Sequence, residues 1–417
     1  MDSRAAGRKP WAVLAYTVAD DKGTGDSLDS AAKEELKSIC NAADFGQMSV
    51  AAQIDFKHAR GVFRGVLTEA PPKTRGFESI PAESHPLWRG IKAKLDRSKL
   101  RVLKEQADLN ASRGNVLTSF LRFGQRECPA DRYVLFFYGH GYGPLGLFFD
   151  AESDDASVKS TMPLTSLSDS LDAVGERAAV IVFRACLANT LETAYQLRDA
   201  AEFMLASQSI VPIAGIWPWG SFLTSLMPGA ASGDVAQAIA RQLALFLETP
   251  ENRDPFADVP YSLINLGAAS AIAEPLKALA DALETARADA GRTSACAAAL
   301  EAARVGFPDD RSAPGDPALL DVPTMCDNLK KLARDPVAGP ARALGEVVER
   351  QLVKWHHSQK GHHRGTGLFY KPVAAKHVGR SHLYEEGTAA GDAELYKQLA
   401  LSQATGWDRI ALNPLRP

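Results

Sequence analysis

Two residues that could carry nucleophilic chemistry each stand just after a short apolar run. His140 lies between two glycines after Val134–Tyr138, and Cys186 lies shortly after Val180–Phe183. Both runs are rich in β-branched and aromatic residues, which is typical of buried strands in a parallel sheet. Because the carboxyl ends of such strands face the ligand crevice, we expect a base and a thiol nucleophile at one edge of a sheet.

This pair of residues has the chemistry needed to cleave an amide bond. Cys186 is expected to attack as a thiolate, its pKa lowered by the amino end of a helix that follows it. His140 is expected to protonate the leaving amine, and the backbone N–H groups of Gly141 and Cys186 to stabilise the oxyanion. Taken alone, Cys186 is more typical of a buried core thiol, and His140 of a core histidine whose hydrogen bonds are satisfied.

The composition is that of a globular protein and argues against several functional classes. The 417 residues are 46% hydrophobic and 23% charged, with a net charge of −3, which is ordinary for a folded chain. No block of Lys or Arg indicates binding to nucleic acid or to a membrane surface, and no apolar stretch approaches the roughly 18 residues of a membrane span. The start of the chain does not resemble a signal peptide, so we expect a cytoplasmic protein.

Neither the cysteines nor the histidines indicate a metal site. The five cysteines are dispersed and include no CxxC pair, which argues against disulfides and structural zinc, so all but Cys186 are expected to be core thiols. The His356-His357 and His362-His363 pairs lack carboxylate or cysteine companions, and we expect a solvated basic loop there. Calcium binding by the acidic segment 20–29 is an alternative, although the segment lacks EF-hand spacing. We therefore predict no metal and no cofactor.

The first half of the chain alternates strands with helices, which predicts a mostly parallel sheet covered by helices on both faces. Beyond about residue 220, alanine-rich segments such as Ala271–Arg287 and Ala341–Trp355 predict helices. We expect a three-layer α/β/α domain over 1–220 and a mainly helical domain over 221–417, with a strand returning near 367–372. The other strands expected from the pattern are Trp11–Val18, Met48–Ile54, Val62–Leu67 as an edge strand, and Phe203–Ala206.

The order of these motifs resembles the clostripain family of cysteine peptidases, within the caspase-like group. The resemblance covers nearly the whole chain, and the 46 residues from His140 to Cys186 are close to the roughly 50 of the caspase signature. It implies a caspase-like fold, a dyad of His140 and Cys186, and substrate contacts by Ser207 and Gln208. The matching pieces are Trp11–Tyr16, Gln53–Asp55, Asn110, Leu117, Phe120, Pro129–Tyr133, Tyr138–Gly141, Ala185–Leu187, Ala206–Gln208, Gly215–Trp217, Gly367–Pro372 and Trp407.

The resemblance places Arg184 and Trp217 near the specificity pocket. The family typically has an Asp two residues before the cysteine, which selects Arg or Lys on the acyl side of the cut (P1), but this chain has Arg184. A guanidinium repels a basic side chain and can hold a carboxylate bidentately, so we expect Asp or Glu at P1. Alternatively, Arg184 is turned away and Asp20 or Asp21 restores the basic preference. Trp217 is expected to shape a neighbouring substrate pocket, or else to be a packing anchor.

The resemblance also implies activation by cleavage within the polar, acidic segment 150–160, the kind of exposed loop in which nicking concentrates. Asp154 and Asp155 suit self-cleavage by an acid-specific enzyme, Lys159 suits a base-specific one, and an upstream protease is a further alternative. The segment could equally be a solvated loop that is never cut.

The sequence therefore predicts a cysteine endopeptidase that is made as a zymogen and acts on protein or peptide substrates. A catalytically silent scaffold stays open, in case Arg184 blocks the pocket. A non-proteolytic thiol hydrolase or transferase is another alternative, although no phosphate loop or dinucleotide fingerprint accompanies the site. Analogy with bacterial caspase-like peptidases suggests a role in defence or cell death.

Overall fold

The protein is built around one large sheet with helices on both faces. Its structure is a computed structural model that describes twelve ranges of residues. These are 7–19, 28–55, 62–67, 100–105, 110–150, 161–212, 215–256, 259–304, 319–333, 335–359, 364–370 and 389–416.

Nine of the described strands form the large sheet, in the order β12-β10-β9-β8-β5-β1-β2-β3-β4. The five central strands, β9 to β2 in that order, are parallel neighbours, and the strands at both ends are antiparallel. In chain order the described strands are β1 (Lys9–Val18), β2 (Met48–Asp55), β3 (Val62–Leu67), β4 (Leu100–Glu105), β5 (Ala130–Tyr138), β6 (Leu147–Phe149), β7 (Thr161–Met162), β8 (Ala178–Arg184), β9 (Ala201–Ser207), β10 (Tyr261–Asn265), β11 (Leu319–Asp321), β12 (Val353–His357) and β13 (Gly367–Phe369).

Helices cover the sheet on both sides. In the described part of the chain they are α1 (Leu28–Ala42), α2 (Gly114–Glu127), α3 (Leu164–Asp172), α4 (Leu191–Gln196), α5 (Trp219–Thr224), α6 (Ser232–Leu247), α7 (Pro250–Arg253), α8 (Ala273–Ala286), α9 (Ala290–Glu301), α10 (Val322–Lys330), α11 (Ala338–Val347), α12 (Ala389–Lys397), α13 (Ala400–Thr405) and α14 (Asp408–Ala411), with a 3-10 turn at Leu266–Ile272 and a π turn at Val348–Leu352. None of the helices within the described ranges has both the length and the apolarity that a membrane crossing requires.

The strand pattern explains why the sheet lies between two cores. Successive side chains of a strand point to opposite faces, so Val134 and Phe136 of β5 pack with α1, α5 and α6, whereas Leu135 and Phe137 pack with α2, α3 and α8. β5 and β8 are apolar on both faces because both faces are covered. The predicted fold, a mostly parallel sheet in an α/β/α arrangement followed by a mainly helical part, is confirmed.

Two local predictions were wrong, and one strand of the large sheet beyond residue 220 was missed. Val62–Leu67 is a strand but not the edge, because β4 pairs outside it; the charged residues of β4 hid its pattern. The helix expected over Ala341–Trp355 ends in the π turn, and the alternating residues Val353–His357 form β12 instead. β10 was missed, and with β12 it extends the sheet beyond residue 220, so the proposed domain boundary at 220/221 stays a prediction.

Of the segment that was predicted to be cut, 150–160, Asp150 is described and buried, whereas 151–160 lie outside the described residues. β6 ends at Phe149 and β7 begins at Thr161, and these two residues pair in a small antiparallel sheet. On either side of the segment stand β5 and β8, which are hydrogen-bonded neighbours in the centre of the large sheet. The two halves of the chain are therefore joined through the core and not only through the segment.

We predict that a single cut within 151–160 leaves the two fragments associated. The parallel pairing of β5 with β8 and the two shared cores bury the contacts between them, so breaking one peptide bond within 151–160 does not release either part. After limited proteolysis, gel filtration should give one peak at the position of the intact chain, while a denaturing gel shows two bands. Separation of the fragments without denaturant would contradict this.

Candidate active site

The register of the central strands brings His140 and Cys186 to the same edge of the sheet. Tyr138, the last residue of β5, pairs with Arg184, the last residue of β8, and the Gly139 N–H donates to the Arg184 carbonyl at 3.4 Å. His140 and Cys186 each follow two residues later in the chain. The two residues thus leave the sheet side by side, as their sequence positions predicted.

The backbones of the two strand ends touch directly at Gly141. A Cβ atom there would overlap with the carbonyl of Cys186, so a residue with any side chain would push the two loops apart. Both predicted oxyanion donors, the N–H groups of Gly141 and Cys186, belong to this contact. Their catalytic role stays a prediction, but the close approach on which it depends is present.

Two residues that flank the site have backbones in the left-handed region, which non-glycine residues rarely adopt. Leu187, directly after the cysteine, has φ 56°, and Phe148 has φ 58°. The Phe148 N–H donates to the His140 carbonyl at 2.9 Å, and the Leu187 N–H donates to the Ser209 carbonyl at 3.0 Å. Such conformations cost about 1–3 kcal/mol each and persist only where the surroundings impose them, so both loops are held in shape by their packing.

The thiol of Cys186 is held by the segment that follows β9. The Val211 N–H donates to its Sγ at 3.3 Å, and the Sγ lies 3.9 Å from the Val211 carbonyl oxygen. Burial raises the pKa of Cys186, and the hydrogen bond from Val211 offsets only part of this effect. The lowered pKa expected from a following helix is wrong, because α4 begins only at Leu191 and is capped by Thr190.

Arg184 lies beneath the site, fully buried with 1% of its surface exposed. Its guanidinium forms an ion pair with Glu35 of α1 and donates to the Gly215 carbonyl at 2.8 Å. It also lies 4.7 Å from the ring centroid of Tyr138 and 5.6 Å from that of Trp217, within the range of cation–π attraction. Burial lowers the pKa of Arg184 to about 10, so the group still carries its charge near neutral pH.

Glu35 was missed by the sequence analysis. Its carboxylate also accepts hydrogen bonds from the Trp217 N–H at 3.0 Å and from the indole N–H of Trp219. The signal was present, because Glu35 falls at helical spacing from the buried Ala32 and Ile39 and therefore on the apolar face of α1. A glutamate on such a face needs a buried partner, but the partner lies 149 positions away.

The residues expected to contact substrate are buried in the structure. Ser207 and Gln208 have no exposed surface, and Trp217 has 1%. The Ser207 carbonyl accepts from the Asn189 N–H at 2.9 Å, and the Gln208 side-chain amide donates to Asp321 at 2.8 Å. The contacts of all three are internal here, and their role toward substrate stays a prediction.

The mainly helical part of the chain fastens the loops of the site. Asp321 caps α10 by accepting from the Thr324 N–H, and it also accepts from Gln208 and from the Arg364 N–H at 2.7 Å. Farther along the loop after Cys186, the Asn189 amide donates to the Gly365 carbonyl at 2.7 Å. The loops after β8 and β9 are therefore held by residues that lie more than a hundred positions away.

The solvated loop expected at the two histidine pairs is wrong for His356 and His357, which belong to β12. Within the described ranges no group of three or more His, Cys, Asp or Glu residues is placed to hold a metal ion. His356 shares a 2.9 Å hydrogen bond with Ser262, and His357 lies 3.7 Å from Glu248. Cys128, Cys296 and Cys326 are buried free thiols, as predicted. His362, His363, Asp20, Asp21, Asp154, Asp155 and Lys159 all lie outside the described residues.

Comparison with known proteins identifies the class. Residues 83–307, which include both strand ends, match the model of the clostripain family, Peptidase_C11. The protein is therefore a cysteine peptidase. It belongs to the clostripain family, as the sequence resemblance predicted.

Solved structures of the same family share the fold. A secreted C11 cysteine protease from Bacteroides thetaiotaomicron, in complex with an irreversible peptide inhibitor, is 15% identical with a TM-score of 0.62, and the match covers 96% of this chain and 99% of that one. An inactive zymogen C11 protease from Parabacteroides distasonis is 16% identical with a TM-score of 0.63, over 95% and 98% of the two chains. No curated protein matches the chain.

We predict that the thiol of Cys186 reacts only at raised pH in the resting protein. Alkylation requires the thiolate, and burial disfavours this charged form, so the rate with iodoacetamide should rise with pH to a midpoint above the roughly 8.5 of an unperturbed thiol. Peptide-resolved mass spectrometry isolates this cysteine from the others, and Cys186→Ala supplies the blank. A midpoint below neutral pH would contradict the burial argument.

Proposed function

We propose that the protein is a cysteine endopeptidase in which Cys186 is the nucleophile and His140 the general acid. The observation that carries this proposal is the direct contact of the two strand ends, where Gly141 packs on the backbone of Cys186. No third residue is required for these two roles, because an imidazole can protonate the leaving amine without a further partner.

In the proposed reaction, the thiol of Cys186 gives its proton to His140, and its sulfur attacks the carbonyl carbon of the scissile bond and forms a C–S bond. The electron pair of the carbonyl moves to oxygen, where the N–H groups of Gly141 and Cys186 stabilise it. Collapse of this intermediate breaks the C–N bond as His140 gives a proton to the amine. A water molecule then attacks the thioester, releasing the carboxylic acid and returning the proton to the thiol.

The contacts of Cys186 support a resting state that needs activation. Burial raises the pKa of its thiol, which disfavours the thiolate needed for attack, and the hydrogen bond from Val211 offsets only part of this effect. The loop that carries His140 is tied to β6 through Phe148 and through the bridge between Gly141 and Leu147. A cut in 151–160 would free the end of β6 next to that loop, so cleavage there could change the position of His140.

The preference at P1 depends on Arg184. An unpaired guanidinium would select Asp or Glu, as we predicted from the sequence, whereas the family-typical preference for Arg or Lys would need a carboxylate in the pocket. The ion pair with Glu35 weakens the argument for an acidic preference, because the charge already has a partner inside the protein. Both preferences stay predictions.

For the dyad, we predict that Cys186→Ala abolishes peptide hydrolysis and labelling by an electrophilic peptide. His140→Ala should lower kcat/KM by about 10²–10⁴-fold, the usual contribution of a general acid. Cys128→Ala, which removes a buried thiol at the opposite end of β5 from His140, is the matched control and should keep full activity. A fluorogenic peptide library measures hydrolysis, and intact mass measures labelling.

These measurements also separate the rival functions. Labelling of Cys186 without any hydrolysis would favour a non-proteolytic thiol enzyme on the same fold. The absence of both, in nicked as well as intact protein, would favour a catalytically silent scaffold and overturn the proposal.

For activation, we predict that the purified protein cuts itself within 151–160 and that Cys186→Ala stays whole under the same conditions. The cut should raise hydrolysis, because it frees the strand that is tied to the His140 loop. Intact mass over time locates the cut at Asp154, Asp155, Lys159 or elsewhere. If the wild type also stays whole, self-processing is excluded. Activation is then tested by cutting 151–160 with an added protease and measuring peptide hydrolysis before and after the cut.

A further inference from the structure

Arg184 and Cys186 belong to the same side of the sheet. Arg184 continues the series of Val180 and Val182, which point the same way along β8 and pack in the core that contains Trp217, and Cys186, in the turn after β8, packs against the same core. The guanidinium of Arg184 therefore lies on the side of the sheet against which the cysteine packs.

The guanidinium is already paired with a carboxylate of the protein itself. Glu35 is 3% exposed and pairs with Arg184. It is held by two further donors, the Trp217 N–H at 3.0 Å and the indole N–H of Trp219. A carboxylate fixed by three donors is already oriented. A substrate carboxylate would have to displace it, and the exchange would add little binding free energy.

We propose that Glu35 is a specificity-determining residue, an internal carboxylate that pairs with Arg184 and offsets its charge at the place where the P1 side chain is expected to bind. The enzyme should then select an uncharged P1 side chain, in place of either charged class. This inference rests on the proposed peptidase function. If it holds, neutralising Glu35 should raise the preference for an acidic P1 side chain, and neutralising Arg184 should raise the preference for a basic one.

The first test removes the charge of Glu35. Glu35→Gln alone would turn its new amide N–H group toward the indole N–H of Trp219, so the double variant with Trp219→Phe is used, and Trp219→Phe alone is its matched control. The ratio of kcat/KM for Asp against Asn at P1 should be near one in the wild type and in the control. In the double variant it should rise about tenfold or more, as expected for a newly available charge-assisted hydrogen bond.

The second test removes the other charge. Arg184→Gln leaves the carboxylate of Glu35 facing the pocket, so the ratio for Lys against norleucine at P1 should rise, again by about tenfold. A pair that served only stability would lower activity in both variants without moving the two ratios in opposite directions. Circular dichroism establishes that each variant is folded, and either variant alone suffices to test the proposal.

A chemical readout distinguishes failure of this inference from failure of the peptidase function. The alkylation rates of Cys186 by iodoacetate and by iodoacetamide differ in their response to nearby charge, whether or not any peptide is cleaved. The ratio of iodoacetate to iodoacetamide should rise about threefold or more in the Glu35→Gln/Trp219→Phe variant and fall in Arg184→Gln. Alkylation ratios that do not move, or a wild type that strongly prefers Asp, Glu, Arg or Lys at P1, would overturn the role of Glu35.

Discussion

The parallel pairing of β5 with β8 is the constraint on which the rest of the site depends. Both strands are buried on both faces, so neither can slide along the other without moving side chains out of two cores. Their register fixes Tyr138 opposite Arg184, and the residues that follow leave the sheet at the same level. The contact of Gly141 with Cys186 is a consequence of this register and of the missing side chain.

The loops beyond the strand ends need support that the sheet itself cannot give. Leu187 and Phe148 adopt backbone angles that are unfavourable for their residue types, and the surrounding contacts compensate for this. Other segments near the site are held by the mainly helical part. Glu192 of α4, buried with a raised pKa, accepts from the Phe369 N–H and from the Tyr396 hydroxyl. Gln208 is held by Asp321. The helical part is thus a scaffold for the site.

Much of this arrangement could be predicted from sequence because its signals are local. An apolar run that ends in Gly-His-Gly, or a helix with one apolar face, is visible within a few residues, and so the central strands and the placement of His140 and Cys186 were found. Contacts between distant segments give no such signal. Within the described residues, β10 and β12 are short and pair with each other and with β9, and the pKa of Cys186 is raised by burial beneath segments that no local pattern brings together.

The buried ion pair also restricts how this pocket can change during evolution. Loss of one partner of a buried pair typically costs about 3–5 kcal/mol, because it strands the other charge, and that is a large share of the stability of an ordinary domain. A lineage that substitutes Arg184 first, or Glu35 first, passes through a weakened intermediate. The two positions, 149 residues apart, are therefore expected to be inherited together, and new selectivity at this site to arise by paired substitution or after stabilising changes elsewhere.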